Sequence, residues 1–168
     1  PLVVAGNGIV TSDTSQLFKK FIKKYNLPFV CTWLGSNLSL YDKNNYCGRL
    51  GIAGQRGANI IVQNADLLII LGSHLCLPQT GVNTKTFSPK SKKILINIDK
   101  KEFKSSKIKF NQFINLDLKL FFKEALKKKI IKRQYFKKNT ISQIKILNEI
   151  DQSHQTDSKR INQYYFLS

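Results

Sequence analysis

Along the first 129 positions, apolar residues come in short unbroken runs, each followed by a stretch where they recur at every third or fourth place. Leu2-Val3-Val4-Ala5 has no polar interruption and reads as a strand covered on both faces, ended by Gly6-Asn7-Gly8. Phe18, Phe21, Ile22 and Tyr25 then fall at i, i+3, i+4 and i+7, the stripe of a helix that Ser12 or Asp13 can cap. Pro28-Phe29-Val30-Cys31-Thr32 predicts a second strand, and a glycine-punctuated loop fills Gly35 to Gly51. From Gly54 to Ala65, the residues Ala58, Ile61, Val62 and Ala65 share one helical face whose small side chains let it lie close to a sheet. Asp66 to Leu71 is the plainest strand, closed by Gly72. A long loop with Pro78, Gly81 and Pro89 leads to the strand Ile94–Ile98, after which Asp99 and Glu102 have the spacing of a capping box. Phe113-Ile114-Asn115 predicts a short strand, and Asp117 caps a helix to about Lys129. Unbroken strands alternating with helices require a parallel sheet buried on both faces, so the expected fold is a three-layer α/β/α, Rossmann-like domain.

Beyond Lys127 the pattern changes. Lys127-Lys128-Lys129, Lys132-Arg133 and Lys137-Lys138 make a basic stretch, and a polar segment runs from Asp151 to Arg160. Ile141, Ile144, Ile146, Leu147 and Ile150 predict a modest helix between them. Residues 130–160 therefore read as a basic and polar linker, and Tyr164-Tyr165-Phe166 within 161–168 as the start of a further domain. With no methionine, an opening strand and an apolar last stretch, the 168 residues are expected to be a piece of a longer polypeptide.

The formal charge of +18 raises nucleic-acid binding as one reading. Nearly all the cations are lysines, however, with Arg49, Arg56, Arg133 and Arg160 the only arginines, and forked recognition of phosphate and base edges favours arginine. Lys19, Lys20, Lys23 and Lys24 fall on the solvent side of their helix. A solvated surface of biased composition is the reading adopted, with no nucleic acid as partner. No apolar run reaches the roughly 18–20 residues that span a bilayer, and no signal peptide opens the chain, so no membrane is expected and a cytoplasmic location is. Cys31, Cys47 and Cys76 are odd in number and lack metal-ligand spacing; buried free thiols and no metal site are expected.

Ligands of open parallel sheets bind beyond the carboxyl ends of the strands, and the special residues here lie at those ends. They are Gly6-Asn7-Gly8, Thr32 to Gly35, Gly72 to Leu75, Asp99 and Asp117. Gly6-Asn7-Gly8 lacks the third glycine of a dinucleotide fingerprint, and both a phosphate site and a plain strand-to-helix turn remain open. Asp117 and Asp99 read first as caps; Trp33 suits ring stacking or packing on a neighbour; Arg56 in a first helical turn points to an anionic partner or a surface pair. There is no Ser-His-Asp set, no pair of carboxylates on one element and no P-loop, so no catalytic residue is assigned.

Taken in order, these motifs resemble a known family. Val3-Val4-Ala5-Gly6-Asn7-Gly8, Pro28-Phe29-Val30-Cys31-Thr32-Trp33-Leu34-Gly35 and Gly48-Arg49-Leu50-Gly51-Ile52-Ala53-Gly54 carry the first half of the likeness. Ala58-Asn59, Ala65 to Ser73, Gln79-Thr80-Gly81, Ile96-Asn97-Ile98-Asp99 and Asn115-Leu116-Asp117 carry the second. Together, over residues 1–129, they resemble the central domain of thiamine-diphosphate-dependent enzymes of the acetolactate synthase type. The resemblance implies a six-stranded parallel sheet of the DHS-like NAD/FAD-binding type. It also implies a parent enzyme that decarboxylates a 2-oxo acid such as pyruvate and joins the product to a second carbonyl. Thiamine diphosphate and Mg²⁺ would be held by other domains of the same polypeptide, in a homodimer or homotetramer. The same resemblance implies FAD or an ADP-like nucleotide in this domain, against Gly6, Gly8, Thr32, Leu34, Gly51, Ile52, Gly72, Ser73, His74, Asn97, Ile98 and Asp117. Here the chain departs from the family: Gly72-Ser73-His74-Leu75-Cys76-Leu77-Pro78 stands where the family has Gly-Ala-Arg-Phe-Asp-Asp-Arg, and Asn97 replaces an acid. A free-standing nucleotide-binding module and a basic nucleic-acid-binding protein are the alternatives.

Overall fold

The computed structural model describes residues 1–128 and 138–150. Six strands form one sheet among them: β1 (Leu2–Ala5), β2 (Phe29–Cys31), β3 (Tyr46–Arg49), β4 (Leu67–Leu71), β5 (Lys92–Asn97) and β6 (Gln112–Asn115). All pairings are parallel and the order is β3-β2-β1-β4-β5-β6. Helices α1 (Gly8–Thr11), α2 (Ser15–Tyr25), α3 (Arg56–Gln63), α4 (Leu77–Thr80), α5 (Lys100–Ser105), α6 (Leu118–Lys127) and α7 (Lys138–Ile150) connect or follow them, with a 3₁₀ segment at Trp33–Tyr41.

The unbroken apolar runs are explained by two cores. Val3 and Ala5, with Ile69, Leu71 and Ile96, face α2 and α6; Leu2 and Val4, with Leu68, Ile70 and Leu95, face α3 and α7. Period-two alternation thus sends apolar side chains to both faces, as a doubly covered parallel strand demands. On the first face the stripe Phe18, Phe21, Ile22, Tyr25 is fully buried and meets Phe122, with ring centroids 5.6 Å apart between Phe21 and Phe122. The carboxyl end of α6 is closed from outside: Tyr25 Oη donates to the carbonyl of Lys128 (2.7 Å) and Lys24 Nζ to that of Leu126 (2.6 Å). A cation suits the negative end of the helix dipole and satisfies carbonyls that lack helical partners.

Several local expectations are corrected. The stretch Gly35–Gly51 is not all loop: it contains the 3₁₀ segment and the edge strand β3, whose Tyr-Cys-Gly-Arg sequence carries no strand pattern and whose Gly48 has φ +107°. Neither Ser12 nor Asp13 caps α2. The chain first makes the single turn α1, Ser12 Oγ donates back to the Gly8 carbonyl (2.6 Å), Asp13 turns at φ 53°, and Thr14 occupies the cap position. The Asp99–Glu102 capping box is half made: Asp99 accepts from the Lys101 amide (2.7 Å), while Glu102 turns away to other partners. Asp117 does cap α6, accepting from the Lys119 (2.8 Å) and Leu120 (3.3 Å) amides, and α6 closes at Lys127.

The helix expected around Ile144 is α7, and it docks on the sheet's second face. Ile144 is buried, Ile141 and Leu147 pack beside it, and Ile146 faces solvent. Close approach is allowed by glycine: a Cβ on Gly57 would lie 2.4 Å from the Ile144 carbonyl oxygen. Gln55, the cap residue of α3, makes no cap bond. Instead Asn148 of α7 accepts from the Ala58 amide (3.2 Å) and donates to the Cys47 carbonyl (3.0 Å), capping α3 from another part of the chain. Residues 129–137 and 151–168, with the rest of the expected linker and the expected start of a further domain, lie outside the described residues.

Candidate functional site

The strand order reverses direction between β1 and β4, where open α/β sheets bind ligands. A groove of about 350 Å³ lies there, over the carboxyl ends of β1, β2, β4 and β5. Eight of the twelve expected contacts line it: Gly8, Thr32, Leu34, Gly72, Ser73, His74, Asn97 and Ile98. The other four do not. Gly6 lies beneath Gly72; Gly51 packs on the Pro78 carbonyl, to which Ile52 donates its amide (2.8 Å); Asp117 is the cap of α6. The sequence reading missed Thr11, Cys76 and Gln79 as lining residues, placed Asp99 at a ligand-binding strand end but read it first as a cap, and took Glu102 as its capping partner alone.

The glycines are required by backbone contact. A Cβ on Gly6 would lie 2.2 Å from the Gly72 carbonyl oxygen, and one on Gly8 would lie 2.7 Å from Gly72 Cα. Gly72 itself has φ +58°, where side chains are disfavoured. The turn after β1 is thereby sewn to the turn after β4: the Gly8 amide donates to the Gly72 carbonyl (2.9 Å). The next amides are also engaged, Ile9 to the Gly6 carbonyl (3.2 Å), and Val10 (2.9 Å) and Thr11 (3.0 Å) to that of Asn7.

Polar groups of the groove converge on Glu102. Its Oε2 accepts from Asn97 Nδ2 (2.7 Å) and its Oε1 pairs with His74 Nδ1. Asn97 Oδ1 in turn accepts from the Asp99 amide (3.2 Å). Among the described residues no lysine or arginine lines the groove, although the chain has 28 of them. Arg49 stacks over the Trp33 ring, 5.8 Å from its centroid. Cys31 and Cys47 are buried, as expected; burial lifts the Cys31 thiol far above its ordinary value and that of Cys47 to about 12. Cys76 differs from the expectation of a buried thiol: it is exposed, with Sγ 2.7 Å from Gln79 Oε1. Among the described residues no group of three acidic, histidine or cysteine side chains could hold a metal, and no helix is long and apolar enough to cross a membrane.

A pyrophosphate needs free amide donors or cations around it. The amides of Gly8, Ile9, Val10 and Thr11, in the turn after β1, are engaged, and the groove presents the carboxylates of Asp99 and Glu102. These residues do not fit the pyrophosphate of FAD or ADP.

The family model of the thiamine pyrophosphate enzyme, central domain, matches residues 1–124. The chain belongs to this family. It is 32% identical over 108 residues to the acetolactate synthase large subunit of Pyropia yezoensis, a match covering 64% of this chain and 18% of that protein. It is 31% identical over 102 residues to acetolactate synthase isozyme 2 large subunit of Escherichia coli (strain K12), covering 61% and 18%. The 3D-(3,5/4)-trihydroxycyclohexane-1,2-dione hydrolase of Geobacillus thermodenitrificans (strain NG80-2) is 32% identical over 108 residues, covering 64% and 16%. The matched stretch is less than a fifth of each relative. The central domain's six-stranded parallel sheet is the one observed.

Proposed function

We propose that this central domain belongs to a thiamine-diphosphate-dependent, acetolactate synthase-like enzyme that decarboxylates a 2-oxo acid and joins the product to a second carbonyl, a transferase or lyase of the cytoplasm. The family match over residues 1–124, on a sheet of matching architecture, carries the reading. The domain's part is structural. Among the described residues there is no nucleophile–base pair in the groove and no metal cluster, so chemistry falls to other domains of the polypeptide. Thiamine diphosphate with Mg²⁺, bound by those domains, would supply the electron sink for decarboxylation. What this chain supplies is a rigid spacer with the switch-point groove on one edge, in a homodimer or homotetramer.

The test is turnover by the full-length protein. Pyruvate should yield CO₂ and acetolactate only when thiamine diphosphate and Mg²⁺ are added. No decarboxylation of pyruvate or other 2-oxo acids, or turnover of the cyclic dione alone, would overturn the proposed reaction.

A further inference from the structure

We infer that the switch-point groove is braced from within: the Asn97–Glu102–His74 linkage joins the β4 and β5 loops in place of a ligand, and the domain works without FAD or any ADP-like nucleotide. The inference holds whatever reaction the flanking domains perform.

Donor accounting is the first support. In a phosphate-binding turn the amides at the start of the helix after β1 point outward, unpaired, toward the anion. Here those of Gly8, Ile9, Val10 and Thr11 all donate to carbonyls within the turn or to Gly72. The helix they open is the single turn α1, too short to build a useful dipole. The Gly-x-Gly spacing is fully explained by the contact of two backbones at Gly72.

Charge is the second support. Among the described residues the groove holds Asp99 and Glu102 and no permanent cation. Glu102 cannot swing aside without cost, because each of its oxygens is engaged, one by Asn97 and one by His74. Asn97 is held through its other amide atom by the Asp99 backbone. The linkage joins the end of β5, the loop after β4 and helix α5, three elements that a nucleotide lying across the groove would otherwise bridge. A pyrophosphate entering would meet a fixed carboxylate, a repulsion that a partly buried site strengthens.

Two measurements on the full-length protein test this. Titration with FAD and, separately, with ADP, followed by calorimetry and flavin fluorescence, should show no saturation by about 1 mM, the weak limit of a specific site. Micromolar binding of either would overturn the inference. The brace is tested by a double-mutant cycle of His74→Ala and Glu102→Ala in urea unfolding. His74 is exposed, so its variant should fold. In the native background H74A should lower the folding constant about threefold, and in the E102A background it should have almost no effect. Equal effects in both backgrounds would show that no brace exists and would equally overturn the inference. Loss of carboligase activity and binding of a nucleotide are separate readouts, so each proposal can fail alone.

Discussion

Replacing Asn148 with alanine should loosen α7 and fray the start of α3 together. Asn148 is buried and makes two hydrogen bonds to backbone: it accepts from the Ala58 amide at 3.2 Å and donates to the Cys47 carbonyl at 3.0 Å. Ala58 is the third residue of α3, so its amide has no helical acceptor, and the cap residue Gln55 provides none. Each bond contributes about 1 kcal/mol net, and an orphaned buried group costs about 1–3 kcal/mol. A pocket of about 310 Å³ lined by Asn148 adjoins the site, so water can reach the orphaned groups and the lower figure applies. The expected loss is about 2 kcal/mol, about a thirtyfold fall in the folding constant. Urea unfolding of the full-length protein measures the total, and amide hydrogen exchange at Ala58 locates it. N148A should speed exchange at Ala58. N148D should preserve protection there, since its oxygen still accepts at a helix start, yet lose stability because a carboxylate oxygen replaces the donor to Cys47. Unchanged Ala58 exchange in N148A would refute the assignment of this residue as the cap of α3.

Three further outcomes are expected. Phe122→Ala removes a fully buried ring that touches Phe18 and Phe21 and should cost about 3–5 kcal/mol in thermal or urea unfolding. Gly6→Ala, whose methyl would lie 2.2 Å from a carbonyl oxygen, should cost at least about 1–3 kcal/mol in urea unfolding; an unchanged midpoint would contradict the packing role of Gly6. Thiol titration should find Cys76 reactive and Cys31 and Cys47 silent until unfolding. Because burial raises both silent thiols, Cys47 to about 12, the unfolded chain loses those protons first. Their contribution is therefore complete below about pH 9 and declines as pH climbs toward 12, which urea midpoints at about pH 8 and about pH 10 will register.

The sheet was legible where burial on both faces leaves an apolar run: β1, β2 and β4 stand out whole, and β5 through its middle, Ile94-Leu95-Ile96, between Lys93 and Asn97. β3 was not, because an edge strand reading Tyr-Cys-Gly-Arg, with a glycine at φ +107°, has neither alternation nor an apolar run. Its place is set by partners, the Phe29–Tyr46 and Cys31–Arg49 pairings, which no local window contains. The helix α7 was visible as a periodicity, but its docking was not: the signal is two glycines, Gly48 and Gly57, which lie 100 and 91 positions before the Asn148 that packs on them. The same holds in the groove. Spacing placed Glu102 three residues after Asp99 and suggested a capping box, while the partners it takes, Asn97 and His74, lie on other elements.

The glycines after β1 show why a binding site is harder to read than a fold. Gly-x-Gly at that turn means that something approaches where a Cβ would stand, and either a phosphate or another stretch of backbone satisfies the requirement equally. Composition cannot separate the two, since both demand the missing side chain. What separates them is the destination of each amide proton. At this turn the Gly8 proton goes to Gly72, and the next three go to Gly6 and Asn7. The charges agree with that outcome: His74, one of the residues standing where the family carries an arginine-bearing stretch, is tied to Glu102, and among the described residues no lysine or arginine lines the groove. Donors, charge and steric contact are independent properties of the site. All three favour a joint between loops over a cradle for pyrophosphate, so the groove's chemistry follows from the contacts its glycines make.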